Sequence, residues 1–165
     1  MACEAWAWAH LGRSEAVSRA LDQAGELVEN QHQATPPLFG HAELAGISGA
    51  CFEVLACKCD VTKAGEYADR ASAYITVALN GRERFYVRSR VLDLLGLANV
   101  RLTQGEPAEA VRTARMAMEC AHGLRSVRVS RQLHRFAVDG LEKFPRSTDV
   151  GDFAEQVRAT IPSVL

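Results

Sequence analysis

The sequence has no run of about 18 apolar residues, which excludes a membrane-spanning helix and any partner role that needs one. No segment alternates apolar and polar residues at period two over a useful length, so strands are not expected. The five cysteines are an odd number with no framework spacing, which argues against a disulfide scaffold and for a reducing cytoplasm. Glu4 stands near the start and no basic head precedes an apolar segment, so the N-terminus does not read as a secretory signal.

Catalytic and metal signatures are also missing. There is no Gly-x-Ser-x-Gly, no His-Glu-x-x-His and no glycine-rich phosphate loop. The histidines are scattered, and His10, His41 and His134 read as surface or packing residues. Cys57-x-Cys59 with Cys51 lacks the two-residue gap of a zinc knuckle, and no second ligand pair follows. A non-enzymatic protein without cofactor or metal is therefore expected.

What the chain does have is length for a substantial core and a hydrophobic content of 48% over 165 residues, as expected of one soluble domain. Net charge is −1, but it is unevenly spread. Residues 81–135 hold 11 basic and 5 acidic side chains, a balance of +6, and the remainder holds 8 and 15, a balance of −7. The excess is either a solvated basic face or a surface for an acidic partner. Arg82, Arg84, Arg88 and Arg90 interleave with Phe85 and Tyr86, yet Arg90 leaves the face that Arg84 and Arg88 share. That is too little convergence for a phosphate-tracking stripe.

Helical patterning fills the rest. Leu102 to Ala110 separates two strong helices: Gly105 suits a left-handed position past a helix end, and Pro107 suits the first turn of the next. Val91, Leu94, Leu95, Ala98 and Leu102 form a wide apolar stripe, and Ala110, Ala114 and Ala117 a narrow one. Earlier, Ala2–Leu11 is helix-favouring and stops at Gly12; Ser14 is a candidate cap for a helix carrying Val17, Leu21, Ala24, Leu27 and Val28. Asn30–Pro37 reads as a loop. A third helix is expected over about 38–57 with Ala42, Ala45, Gly49, Phe52 and Leu55 on one face, Gly46 and Gly49 permitting close approach. Asp60 or Thr62 would cap a fourth, carrying Ala64, Ala68 and Ala71 and ended by Asn80-Gly81. A seventh, about 126–144, carries Val127, Leu133, Phe136, Ala137, Leu141 and Phe144, and a last one carries Phe153, Val157 and Ile161.

The offsets repeat. Gly105 is followed by Ala110 five residues on and by Ala117 seven further; Gly12, Val17 and Ala24 keep the same steps, and Ala64 and Ala71 keep the second. With Leu94, Leu97 and Ala98, Gly49 and Phe52, and Trp8 at first-helix core positions, residues 1–122 resemble three tetratricopeptide repeats. The C-terminal third, with Ser126 to Val129, Leu133, Phe136, Leu141, Val150, Phe153 and Val157, is similar to the sensor region at the C-terminus of actinobacterial helix-turn-helix transcriptional regulators. In those proteins a DNA-binding domain precedes the repeats. None precedes them here, so a fragment or a stand-alone relative is expected, and nucleic acid would be reached only through a domain this chain does not contain.

The resemblance implies an all-α, single-domain solenoid over 1–165: hairpins at about 1–29, 38–79 and 84–122, then capping helices at about 126–144 and 150–161. Stacked hairpins bury one another's apolar faces, and the first helices line a concave groove. Carried onto this sequence, the groove positions are Trp6 and His10, Glu43 and Glu53, and Leu92, Leu95 and Asn99, with Arg88 one turn before Leu92. Asn can bond a peptide backbone and Arg a carboxylate. The expected function is a cytoplasmic protein- or peptide-binding scaffold, of the kind that senses ligands in a transcriptional regulator. A small-molecule-binding or catalytic accessory protein of a biosynthetic pathway is the alternative, and a homodimer is left open.

Overall fold

Glycine and proline set the punctuation. In the computed structural model, which describes residues 1–30 and 39–161, Gly12, Gly105 and Gly123 all take positive φ, at 69°, 80° and 78°. Each lies just after a helix, where a side chain would strain the left-handed backbone. Pro107 opens a helix, where its missing N–H leaves no bond unmade. Among the described residues there are eight helices and no strand, so the expected all-α class holds. The expected loop beyond Asn30 and the expected start of the third helix at Leu38 lie outside the described residues.

The helices form two compact units, with bounds Met1–Glu83 and Arg84–Leu165. The first contains α1 (Ala2–His10), α2 (Ser14–Glu29), α3 (His41–Lys58) and α4 (Val61–Gly81). Helix α1 packs on α2 and on α3, α2 also touches α3, and α3 packs along α4. The expected apolar faces make this core: Val17, Leu21, Ala24 and Val28 on α2, Ala45, Phe52 and Leu55 on α3, and Ala68 and Ala71 on α4 are buried. At Gly49 α3 runs close against α4. A Cβ there would stand 2.5 Å from Ile75 Cγ1 and 3.2 Å from the Ile75 backbone nitrogen, so the absent side chain sets the separation.

Leu27 and Trp8 depart most from the expected faces, and Ala42 and Ala64 are only half-buried. Leu27 is 51% exposed because it lies a quarter-turn off the buried stripe of α2. Trp8 is 41% exposed, since α1 is narrow at its contact and buries only Ala5 and Ala9. Capping also differs. Ser14 is the first helical residue, after Arg13 at the N-cap, and Asp60 holds the N-cap of α4 without a side-chain bond.

The second unit contains α5 (Val87–Thr103), α6 (Pro107–Cys120), α7 (Val127–Lys143) and α8 (Thr148–Thr160). Here α5 packs on α6 and α7, and α8 packs on α7 and α6. Both expected stripes, Val91 to Leu102 on α5 and Ala110 to Ala117 on α6, are buried. Phe136 on α7 and Phe153 on α8 meet edge to face, centroids 5.4 Å apart at 88°. Ser126 caps α7, accepting from the Val129 amide at 3.4 Å. Val127, one residue into α7, is exposed rather than part of the core face.

Candidate binding site

The expected groove residues fall in both units. On α1, Trp6 and His10 are one turn apart and exposed, their rings edge to face at 4.8 Å and 71°. The His10 carbonyl accepts from Lys58 Nζ at 2.6 Å. This puts a cation on the unsatisfied carbonyls at the C-terminus of α1 and ties that end to α3.

Glu43 serves the hairpin itself. One carboxylate oxygen accepts the Gly40 amide at 3.1 Å at the start of α3, and the other pairs with Arg82 Nη1 at 2.9 Å. Arg82 also donates to the Ala42 carbonyl at 3.3 Å. The Arg82 side chain is 5% exposed and that of Glu43 26%, so this is a largely desolvated pair closing the open end of the α3–α4 hairpin. Glu53, further along α3, is half-buried and engaged within the protein.

On α5, Arg88, Leu92, Leu95 and Asn99 occupy one stripe by their four-three-four spacing. Their environments differ. Leu95 belongs to the core, Leu92 is half-buried, and Asn99 is half-buried and engaged within the protein. Arg88 is exposed in the first turn and, like Arg84, makes no ion pair among the described residues. Just before α5, Phe85 and Tyr86 stand exposed with their rings 4.5 Å apart. The first turn of α5 carries no acidic residue and its N-cap Tyr86 makes no side-chain cap bond. Guanidinium groups, exposed rings and uncapped amides thus gather at one end of α5, a setting that favours a carboxylate or acidic side chain with an apolar neighbour.

A depression of about 590 Å³ opens where the end of α6, the start of α7 and the end of α8 meet, with Met118, His122, Arg125, Ser130 and Thr160 on its walls. In the other unit, Cys51 lies in the core of α3, and burial pushes its thiol up to about 12. That thiol stays protonated and unreactive at neutral pH. Among the described residues no group of three or more His, Cys, Asp or Glu side chains is placed to hold a metal, and no helix is long and apolar enough to cross a membrane.

Two features escaped the sequence reading as sites. In the sequence pattern Phe85 and Tyr86 bear only on nucleic-acid binding. The outward face of α7 carries exposed Arg128, Arg131 and Arg135 beside exposed Val127 and Val138. The basic balance of residues 81–135 and the three- and four-residue spacing of those arginines were the available signals. No family model, curated protein or solved structure matches the chain.

Proposed function

We propose that the chain is a non-enzymatic scaffold of tetratricopeptide-like hairpins that captures a protein or peptide, the kind of unit that serves as the ligand-sensing part of a transcriptional regulator. The observation that carries this reading is a recurring contact. In each unit the first helix of one hairpin packs on the first helix of the next, α1 on α3 and α5 on α7. Hairpins stacked through their first helices are how a helical-repeat protein builds a binding surface. The α7–α8 pair supports the same reading, because Val150 and Val157 keep the seven-residue step of Ala110 and Ala117 and are buried as they are. On this reading α7 and α8 are a fourth hairpin as much as a cap.

The ligand-facing part of the second unit is Arg88 and Leu92, with Phe85 and Tyr86 at its edge. An extended peptide with an acidic group and an apolar side chain fits that chemistry. The test is a selection of displayed peptides on the immobilised chain, followed by titration calorimetry of the selected sequences. Selected peptides are expected to be acidic, and Arg88→Glu is expected to weaken them at least tenfold with helicity unchanged by circular dichroism. A selection that yields no binder, or binders indifferent to Arg88→Glu and to Trp6→Ala, would contradict the reading.

The alternative, a small-molecule-binding accessory protein, has the depression beside His122 and Arg125 on its side. That depression is open, and the strongly perturbed thiol of Cys51 belongs to the other unit. A deep apolar pocket would have favoured it more.

A further inference from the structure

The two units carry opposite charge. Up to Glu83 the chain has 6 basic and 11 acidic side chains, and from Arg84 onward it has 13 and 9, so 6 − 11 = −5 and 13 − 9 = +4. The charges are organised on outward helix faces. On α2 the buried stripe is Val17, Ala20, Leu21, Ala24 and Val28, and the opposite face presents Asp22, Glu26 and Glu29, all exposed and without an ion pair among the described residues. Glu15 continues that face and is engaged by Arg19 at 3.9 Å. On α7 the buried stripe is Val129, Leu133, Phe136, Ala137 and Gly140, and the outward face presents Arg128, Arg131 and Arg135. Arg128 and Arg131 have no ion pair among the described residues, and Arg135 meets Asp139 at 3.5 Å, with both groups well exposed.

The two faces match in register. The acidic residues are spaced four then three, and the arginines three then four. Laid antiparallel, Asp22 faces Arg135, Glu26 faces Arg131 and Glu29 faces Arg128, over about 10 Å of helix on each side at 1.5 Å per residue. Apolar side chains flank the basic row: Val127 and Val138 border it, each more than half exposed.

We propose that the α7 face is a docking surface for the α2 face of a second copy of this chain. The contact uses different faces on the two copies, so it is heterologous: one copy keeps its acidic face unused and the other its basic face, and association continues into a ring or an open chain. Its attraction comes from solvent-exposed charges, so it is screened by salt.

Sedimentation velocity of the full chain tests this at about 20 mM and about 500 mM salt, the second leaving a Debye length of only a few ångströms. The weight-average sedimentation coefficient is expected to rise with protein concentration at low salt and to stay monomeric at high salt. Arg131→Glu alone and Glu26→Arg alone are each expected to weaken association at least tenfold at low salt. The double variant restores an opposite-charge pair at every junction and is expected to regain it. A folding defect in either single variant would not be repaired in this way, and circular dichroism checks each. A chain monomeric at every concentration in low salt, association that survives high salt, or a double variant no better than the singles would overturn the proposal.

Discussion

The two units solve the same packing problem with different materials. In the first, the central contact between α3 and α4 is made by removing bulk at Gly49 and stacking rings. Phe52 is buried beside Tyr67 and Tyr74, with ring centroids 6.1 and 5.7 Å away, and the Arg70 guanidinium lies 4.0 Å over its face. A desolvated ion pair, Glu43 with Arg82, then closes the hairpin end. In the second unit the core is aliphatic around α5, which is buried almost all round, and one edge-to-face pair, Phe136 with Phe153, joins α7 to α8. Its comparable ion pair, Arg101 with Glu106 at 3.0 Å, is a surface one, with side chains 31% and 49% exposed. The first unit therefore adds a cation–ring contact and a desolvated ion pair to its packing, and the second packs aliphatic side chains around the buried polar side chains of Asp93 and Thr113. The lesson is that similar helix hairpins do not imply similar sensitivities.

The sharpest way to break that comparison is at the aromatic anchors. Phe136→Ala empties a site bounded by one aromatic neighbour and aliphatic side chains, and about 3–5 kcal/mol of stability should be lost in urea unfolding. Phe52→Ala should cost as much or more, because it also removes the ring under Arg70. Equal tolerance of both substitutions, below about 1 kcal/mol, would mean that neither contact organises its unit.

Alkaline pH should separate the units next. The Cys51 thiol is raised from 9.0 to about 12 by burial. The folded chain holds that proton more tightly than the unfolded chain, so its contribution is intact below pH 9 and is lost as pH rises toward 12. Fully developed, the loss is on the order of 4 kcal/mol, from about 1.4 kcal/mol per pH unit. Stability measured at rising pH for the native chain and for Cys51→Ala should diverge above pH 9, with the steeper fall in the native chain. Parallel curves would place the alkaline sensitivity elsewhere.

The ion pairs give the smallest contrast. Arg82→Ala leaves the Glu43 carboxylate partly buried without its cation and should cost about 2–3 kcal/mol. Arg101→Ala should cost less than about 1 kcal/mol, as exposed pairs do. Thermal unfolding of the two variants side by side reads the difference directly.

Much of this architecture was legible in the residues. Gly105 and Pro107 marked a helix break through backbone chemistry alone, and the α5 and α6 stripes followed from period and residue size. What was not legible depends on contacts between distant residues. Glu43 is a groove position only through the repeat resemblance, and Arg82, 39 residues later, reaches back to it. Trp8 looked like a core aromatic, yet the neighbour that would have buried it is met by Ala5 and Ala9 instead. Leu27 lies at the margin of the apolar stripe of α2, where a small helix rotation decides between core and solvent, and Val127 stands on the outward side of α7 beside its arginines. The groove positions on α5 were found as a stripe, but their unequal burial, with Leu95 in the core and Arg88 in water, was set by how α6 and α7 surround that helix.

The central claim is that first helices carry the binding surface. Amide hydrogen exchange of the chain with and without a selected peptide tests it most directly. The account predicts added protection at the N-terminal end of α5 around Phe85 to Leu92 and on the first helices α1 and α3. Protection confined to the second helices α2, α4, α6 and α8, with α5 unchanged, would contradict it.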